Sequence, residues 1–255
     1  MMRIDLNSDM GESYGRYTLG EDAEVIQYVT SINVACGWHA GDPAVMRRTV
    51  AAAKSAGVRV GAHPSYPDHP GFGRREMVLT GQEACDYTLY QLGALHAFAT
   101  AQGVRLQHVK AHGAFYNVAV RDRQIALGIA EAMAEFDPRL IMVGLPDSEL
   151  LRAAREVGLR RVREGFADRA YNENGTLVSR SLPGAVIHDA EVVVARVLAM
   201  VQGKVTAITG KVIPITVETV CLHGDTPGAA ALARKIREAL EAASVQVVPL
   251  ENLVG

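Results

Sequence analysis

The chain has 255 residues, 49% of them apolar, and its 26 basic and 28 acidic residues leave a net charge of -2. That balance excludes a nucleic-acid surface built on a basic excess, and no apolar run approaches the roughly 20 residues of a membrane span. Cys36, Cys85 and Cys221 are an odd number in no metal-ligand spacing, and Met1-Met2-Arg3-Ile4-Asp5 reaches an acid too early for a signal peptide, so a reducing, cytoplasmic setting is expected.

In chain order, Ile4–Leu6 reads as a short strand that leaves Asn7, Ser8, Asp9 and Glu12 at its end. Glu21–Val29 is a short helical pattern, and Ile32–Ala35 is the second strand. Asp42 is placed to cap a helix with Pro43 at its first position, and Gly57 stops it. Val58–Ala62 is the third strand. The following Ser65–Arg75, with two prolines, two glycines and two arginines, is a loop long enough to be a lid. Thr80 and Glu83 form a capping box for a helix that runs to about Gln102. Gln107–Ala111 is a strand, Arg121–Glu135 a helix, Leu140–Val143 a strand, and Asp147 is expected to cap the next helix. Arg160–Phe166 is a strand and Tyr171–Gly184 a second long loop. Asp189–Gln202 is a helix, and Gly203-Lys204-Val205 with Gly210-Lys211-Val212 flanks a hairpin. Thr219–Leu222 is the last strand, and Thr226-Pro227 is expected to start the final helix.

Short apolar strands alternating with helices predict a parallel sheet. About seven such units at this length favour a closed barrel, with no linker or composition shift to divide residues 1–255 into more than one domain. In such barrels the site lies at the C-terminal ends of the strands. That rule gathers Asp9, His39, His63, His112, Asp168 and His223 at one mouth. Four histidines directly after four strands are hard to ascribe to unrelated packing needs. His69, His96, His108 and His188 lack this context and read as surface or packing residues. Lys110 alternates with His112, so one strand face carries both, and Lys110 is either a partner for a substrate anion or a member of an ion pair. Arg169, next to Asp168, divides between an anion clamp and a structural pair. Trp38 is expected as a wall of the pocket, and Cys36 and Cys221 as small core residues.

Several motifs fail. Asp5–Gly11 has the acids of a calcium loop, but Gly11 falls one place late and Arg16 stands where a glutamate belongs. Neither a phosphate-binding G-x-x-x-x-G-K-[ST] nor a G-x-S-x-G elbow occurs. Asp9, His39 and His63 lie on three separate strands with no tight H-x-x-x-H pair, so no metal site is expected.

The segments D-L-N-S-D-M-G-E, N-V-A-C-G-W-H-A-G-D, G-A-H-P-S-Y-P-D, G-F-G-R-R, V-K-A-H-G-A-F-Y-N, E-G-F-A-D-R-A-Y and C-L-H-G-D-T-P-G-A run in order from Asp5 to Ala229. Together they make the chain resemble the LamB/YcsF lactam-utilisation family, with Ser8, Trp38 and Ala111 as small departures that remove no ionisable group. The resemblance implies a seven-stranded (β/α) barrel similar to glycoside hydrolases and polysaccharide deacetylases. It also implies the opening of 5-oxo-L-proline to L-glutamate with hydrolysis of ATP, Mg2+ serving as the counter-ion of ATP, in a complex with two other subunits, B and C. Homo-oligomerisation is compatible with this reading.

That chemistry needs a general base, cations and a carboxylate clamp. Asp9, His39, His63, His112, His223 and Asp225 are the catalytic candidates, with Asp225 orienting His223 as base for water. Glu12, Lys110, Asp168, Arg169 and Tyr171 are the substrate-binding candidates. The alternatives are a stand-alone metal-dependent hydrolase using Asp9, His39 and His63, and a non-catalytic partner subunit that binds a ligand.

Overall fold

The computed structural model describes residues 2–254 apart from 224–227, with His223 described by its backbone alone. Strands β1 (Arg3–Met10), β2 (Ser31–Ala35), β3 (Arg59–His63), β4 (Leu106–Val109), β5 (Ile141–Gly144) and β6 (Arg160–Phe166) pair in sequence order, all parallel. A hairpin follows, β7 (Lys204–Thr206) antiparallel to β8 (Val212–Pro214). Strand β9 (Thr219–His223) then pairs with β6 on one side and β1 on the other, closing a barrel of seven parallel strands. Strand β10 (Gln246–Val247) extends the sheet beside the start of β1. Among the described residues no helix is long and apolar enough to cross a membrane.

Around the barrel lie α1 (Asp22–Val25), α2 (Pro43–Ala56), α3 (Gly81–Ala101), α4 (Gly113–Arg121), α5 (Arg123–Phe136), α6 (Glu149–Glu156), α7 (Ala190–Val201) and α8 (Ala229–Ala242). The predicted caps hold at α2, where the Asp42 carboxylate accepts from the N–H groups of Ala44 and Val45, and at α3, where Thr80 and Glu83 complete the capping box. At α6 the cap is Ser148, whose hydroxyl accepts from Leu151 N–H, and Asp147 sits at φ 59° in the tight turn before it. Helix α4 was hidden in the sequence because His112-Gly113 reads as a loop. Ala114, Phe115, Tyr116 and Ala119 nonetheless give it a buried face. The expected Thr226-Pro227 start of the last helix lies outside the described residues.

Alternation along the strands separates two environments. Ile4, Leu6, Ile32, Val34, Val60 and Ala62 are buried against the helices. The residues between them face the barrel axis, and most are polar. Asn7 donates to Thr219 and, across the interior, to Glu164. Asn33 donates to Asn7 and Asp9 and accepts from His108. Asp5 accepts from the hydroxyls of Thr30, Ser31 and Thr219. Burial still pushes its pKa up to about 6, against those hydroxyls. An unsatisfied buried polar group costs about 1–3 kcal/mol, so this network both fills the barrel and fixes its register.

His108, expected at the surface or in packing, is an interior member of that network and fully buried. Gly61 makes room for it, because a Cβ there would overlap the His108 ring. Gly61→Ala should therefore cost about 1–3 kcal/mol in urea unfolding. The loss should be smaller when made in a His108→Ala background, and additive losses would contradict the packing relation. Burial, then Lys110, pushes the His108 pKa down to about 3. A depressed imidazole stabilises the fold above its unfolded pKa of about 6.5 and loses that contribution as pH falls toward about 3. Stability measured between about pH 7 and about pH 4 should fall, and fall less steeply in His108→Gln.

Candidate active site at the C-terminal mouth

The floor of the mouth is set by Lys110, which follows β4 and is buried. An ammonium has three donors, and here they meet Asp9 Oδ1 at 2.8 Å, Cys221 Sγ at 3.0 Å and Glu164 Oε1 at 3.2 Å. Burial alone would strip the ammonium of its proton, but Asp9, Cys221 and Glu164 hold its pKa well above the ordinary lysine value. For Glu164 burial outweighs the attraction of Lys110 and raises its pKa. The sequence left Lys110 between substrate partner and ion pair, and the geometry makes it an ion-pair member. Cys221, expected as core filler, is an acceptor in the same group. Asp9 belongs here because β1 runs on to Met10 instead of ending at Leu6. Its other oxygen, Oδ2, lies 3.3 Å from His63 Nε2.

Above the floor stand three histidines and an acid. His63 ends β3, His39 follows β2, His112 is the N-cap residue of α4, and Glu12 follows β1. His39 and His112 stack with centroids 3.7 Å apart and planes at 4°. His39 Nε2 is 3.1 Å from Glu12 Oε1, and His112 Nδ1 is 3.0 Å from His63 Nε2 and 3.5 Å from Glu12 Oε1. The far nitrogens are held by backbone: His63 Nδ1 by the Lys110 carbonyl at 2.6 Å, and His112 Nε2 by the Phe72 carbonyl at 2.9 Å. Burial, then the neighbouring histidines, holds the His112 pKa well below the ordinary imidazole range, and burial does the same for His39.

The loop expected to serve as a lid forms one wall of the mouth. Gln91 of α3 clasps the backbone of Ser65 at 2.9 Å in both directions, and Asp68 is paired with Arg75. Phe72 sits at φ 54°, a left-handed conformation costly for an aromatic residue, and from it presents the carbonyl that holds His112. Gly113, at φ 55°, lets this wall approach α4, since a Cβ would lie 2.6 Å from the Gly73 carbonyl oxygen.

A cavity of about 530 Å³ opens over the cluster. Asp9, Glu12, His63, Lys110 and His112 line its depth, and Arg74, Arg121, Arg169 and Arg180 its sides. Arg180 and its neighbours Ser179 and Ser181 escaped the sequence reading, since nothing in a long loop signals which residues turn inward. Arg169 lines the cavity and donates to the carbonyls of Val178 and Ala185, and burial pulls its pKa down to about 10. Two expected substrate residues stand back. Tyr171 is fully buried, its hydroxyl accepting from Phe166 N–H, and neither it nor Asp168 lines the cavity. Trp38, expected as a pocket wall, packs on Tyr87 and Tyr90 of α3 instead. His69, His96 and His188 are exposed, as expected. The backbone of His223 pairs with Asp9 at the end of β9, while its side chain and Asp225 lie outside the described residues.

Lys110→Met would leave two acids buried without their cation, a change that costs about 3–5 kcal/mol. Urea unfolding should show a loss of that size, and unchanged stability would mean that the acids have other compensation.

The profile of the LamB/YcsF family matches residues 4–255. The A subunit of 5-oxoprolinase from Pyrococcus abyssi is 56% identical over the whole of both chains. Its counterpart from Campylobacter jejuni (strain 81116) is 52% identical over the same extent. The crystal structure of the lactam utilization protein from Thermus thermophilus superposes with a TM-score of 0.92 at 48% identity, covering 98% of this chain and 100% of that one. The peptidoglycan deacetylase PdaC from Bacillus subtilis (mutant D285S) has a TM-score of 0.50 at 13% identity, over 99% of this chain and 89% of that one, and so shares the barrel fold. With its sequence matched from end to end and its barrel superposed throughout, this chain belongs to the LamB/YcsF family.

Proposed function

We propose that this chain is the lactam-opening subunit of an ATP-dependent 5-oxoprolinase, acting with partner subunits B and C in the cytoplasm. The reaction converts 5-oxo-L-proline, ATP and water to L-glutamate, ADP and phosphate, with Mg2+ as the counter-ion of ATP. The observation that carries the reading is a buried cluster of histidines and acids beneath an arginine-walled cavity. It occurs in a chain whose end-to-end relatives are named as the A subunit of 5-oxoprolinase.

A lactam is an unactivated amide. Transfer of the γ-phosphoryl group of ATP to the lactam oxygen, with loss of the N–H proton, gives an imidoyl phosphate and ADP. Water then adds to the ring carbon and surrenders a proton to a base. The carbon–nitrogen bond breaks as the nitrogen takes up a proton, leaving γ-glutamyl phosphate, which a second water hydrolyses to glutamate and phosphate. A neutral imidazole suits the proton transfers, because it can accept at neutral pH and later donate. His112 and His63 reach the cavity and fill that role in this reading, with His39 stacked behind and Asp9 oriented by Lys110. His223 and Asp225 complete the candidate set. Arg74 and Arg180 are the cations for the substrate carboxylate and the transferred phosphate, and Arg169 shapes the loop that carries Arg180.

Glutamate release should require 5-oxoproline, ATP, this chain and both partner subunits together. His112→Ala should lower turnover by about 100-fold or more with assembly intact. Full turnover by subunits B and C without this chain would refute the reading. Opening of the lactam by this chain without ATP would favour the stand-alone hydrolase instead.

A further inference from the structure

His63 and His112 are oriented by groups that can only accept. A backbone carbonyl has no proton to give, so His63 Nδ1 donates to Lys110 and His112 Nε2 donates to Phe72. In neutral rings the remaining nitrogens, His63 Nε2 and His112 Nδ1, are then bare lone pairs. They face each other at 3.0 Å. Glu12 Oε1 lies 3.5 Å from one and Asp9 Oδ2 3.3 Å from the other, and both are acceptors as well. Such an arrangement repels unless a cation sits among the lone pairs. Carbonyl groups that fix the outer nitrogen of an imidazole and aim the inner one at a common point are the usual surroundings of a metal ligand.

We propose that Glu12, His39, His63 and His112 form a binding site for one divalent transition-metal ion of the zinc type. The four donor atoms lie within 4.8 Å of one another. Three of the contacts among them, at 3.1, 3.0 and 3.5 Å, lie near the spacing of about 3.3 Å between ligands held about 2.0 Å from a tetrahedral ion. Three imidazoles and one carboxylate select zinc, cobalt or nickel over magnesium, which prefers oxygen donors. The site is thus distinct from the magnesium that travels with ATP, and it stands whether or not the lactam reading does; with the ion in place His63 and His112 serve as its ligands, and proton transfer in the lactam reading passes to Asp9. A proton shared between His63 and His112 is the rival cation. The alternative weighed from the sequence put a metal on Asp9, His39 and His63; the geometry instead groups Glu12 and His112 with His39 and His63, four residues from distant segments that only barrel closure brings together.

The test uses the untagged full chain, stripped with chelator and checked for folding by circular dichroism. Zinc titration followed by elemental analysis should give one tightly bound ion per chain. Cobalt should give a ligand-field spectrum of nitrogen and oxygen coordination. His63→Ala, His112→Ala and the milder Glu12→Gln should each weaken zinc binding, the histidine variants by about 100-fold or more, while the exposed His96→Ala should not. Equal zinc uptake by wild type and folded site variants would overturn the proposal. So would a wild-type chain that takes up no zinc and whose nitrogen NMR shows a proton held between His63 and His112.

Discussion

Among the described residues, Lys110 is the positive charge that the barrel's depth is arranged around. An ammonium out of water is tolerated only when its donors are met by well-placed acceptors, and three strands supply them: Asp9 from β1, Glu164 from β6 and Cys221 from β9. Because those strands are the ones that close the barrel, the ion pair and the closure depend on each other. Asp9 is then fixed in orientation. One oxygen is held by Lys110 and Asn33, and the other faces His63. The position of the imidazoles above is inherited from that fixed carboxylate.

The same economy runs through the interior. On β1 and β2 the apolar face serves the helices, while the inner face carries amides, hydroxyls and acids that hydrogen-bond across the axis. A purely apolar barrel interior would be simpler to stabilise but would present nothing chemical at its mouth. Here the polar ladder rises through Asp5, Asn7 and Asp9 until it meets the histidines. The wall that completes the site carries Phe72 in a strained conformation and aims a carbonyl at His112. Strain of that kind persists only where the surroundings hold it, and Gln91 and the Asp68–Arg75 pair do so.

Much of this was legible in the sequence because the fold writes its site at strand ends. Asp9, His39, His63 and His112 were each read from an apolar run that stops in a polar residue, and they do share one mouth. What the sequence hid has physical reasons. Asn7, Asn33 and His108 alternate with apolar residues as a solvated strand face would, so only closure distinguishes an interior from a surface. Glu12 was legible as a site acid, but its place among the histidines follows only once β1 is known to reach Met10. Tyr171 and Trp38 carry polar or aromatic character suited to a pocket, but burial and neighbouring rings in α3 claim them first. Arg180 sits in a loop whose path depends on Arg169 tying its backbone, a contact no local pattern announces.

Everything proposed about function requires the small molecule to sit over the Asp9–Lys110–His63–His112 floor. A crystal structure of the chain with 5-oxo-L-proline bound tests this most directly. The lactam ring should lie within reach of His112, with its carboxylate toward Arg74 or Arg180. A ligand seated elsewhere, such as the arginine-lined recess of Arg152, Arg155 and Arg161, with this mouth left to solvent, would contradict it.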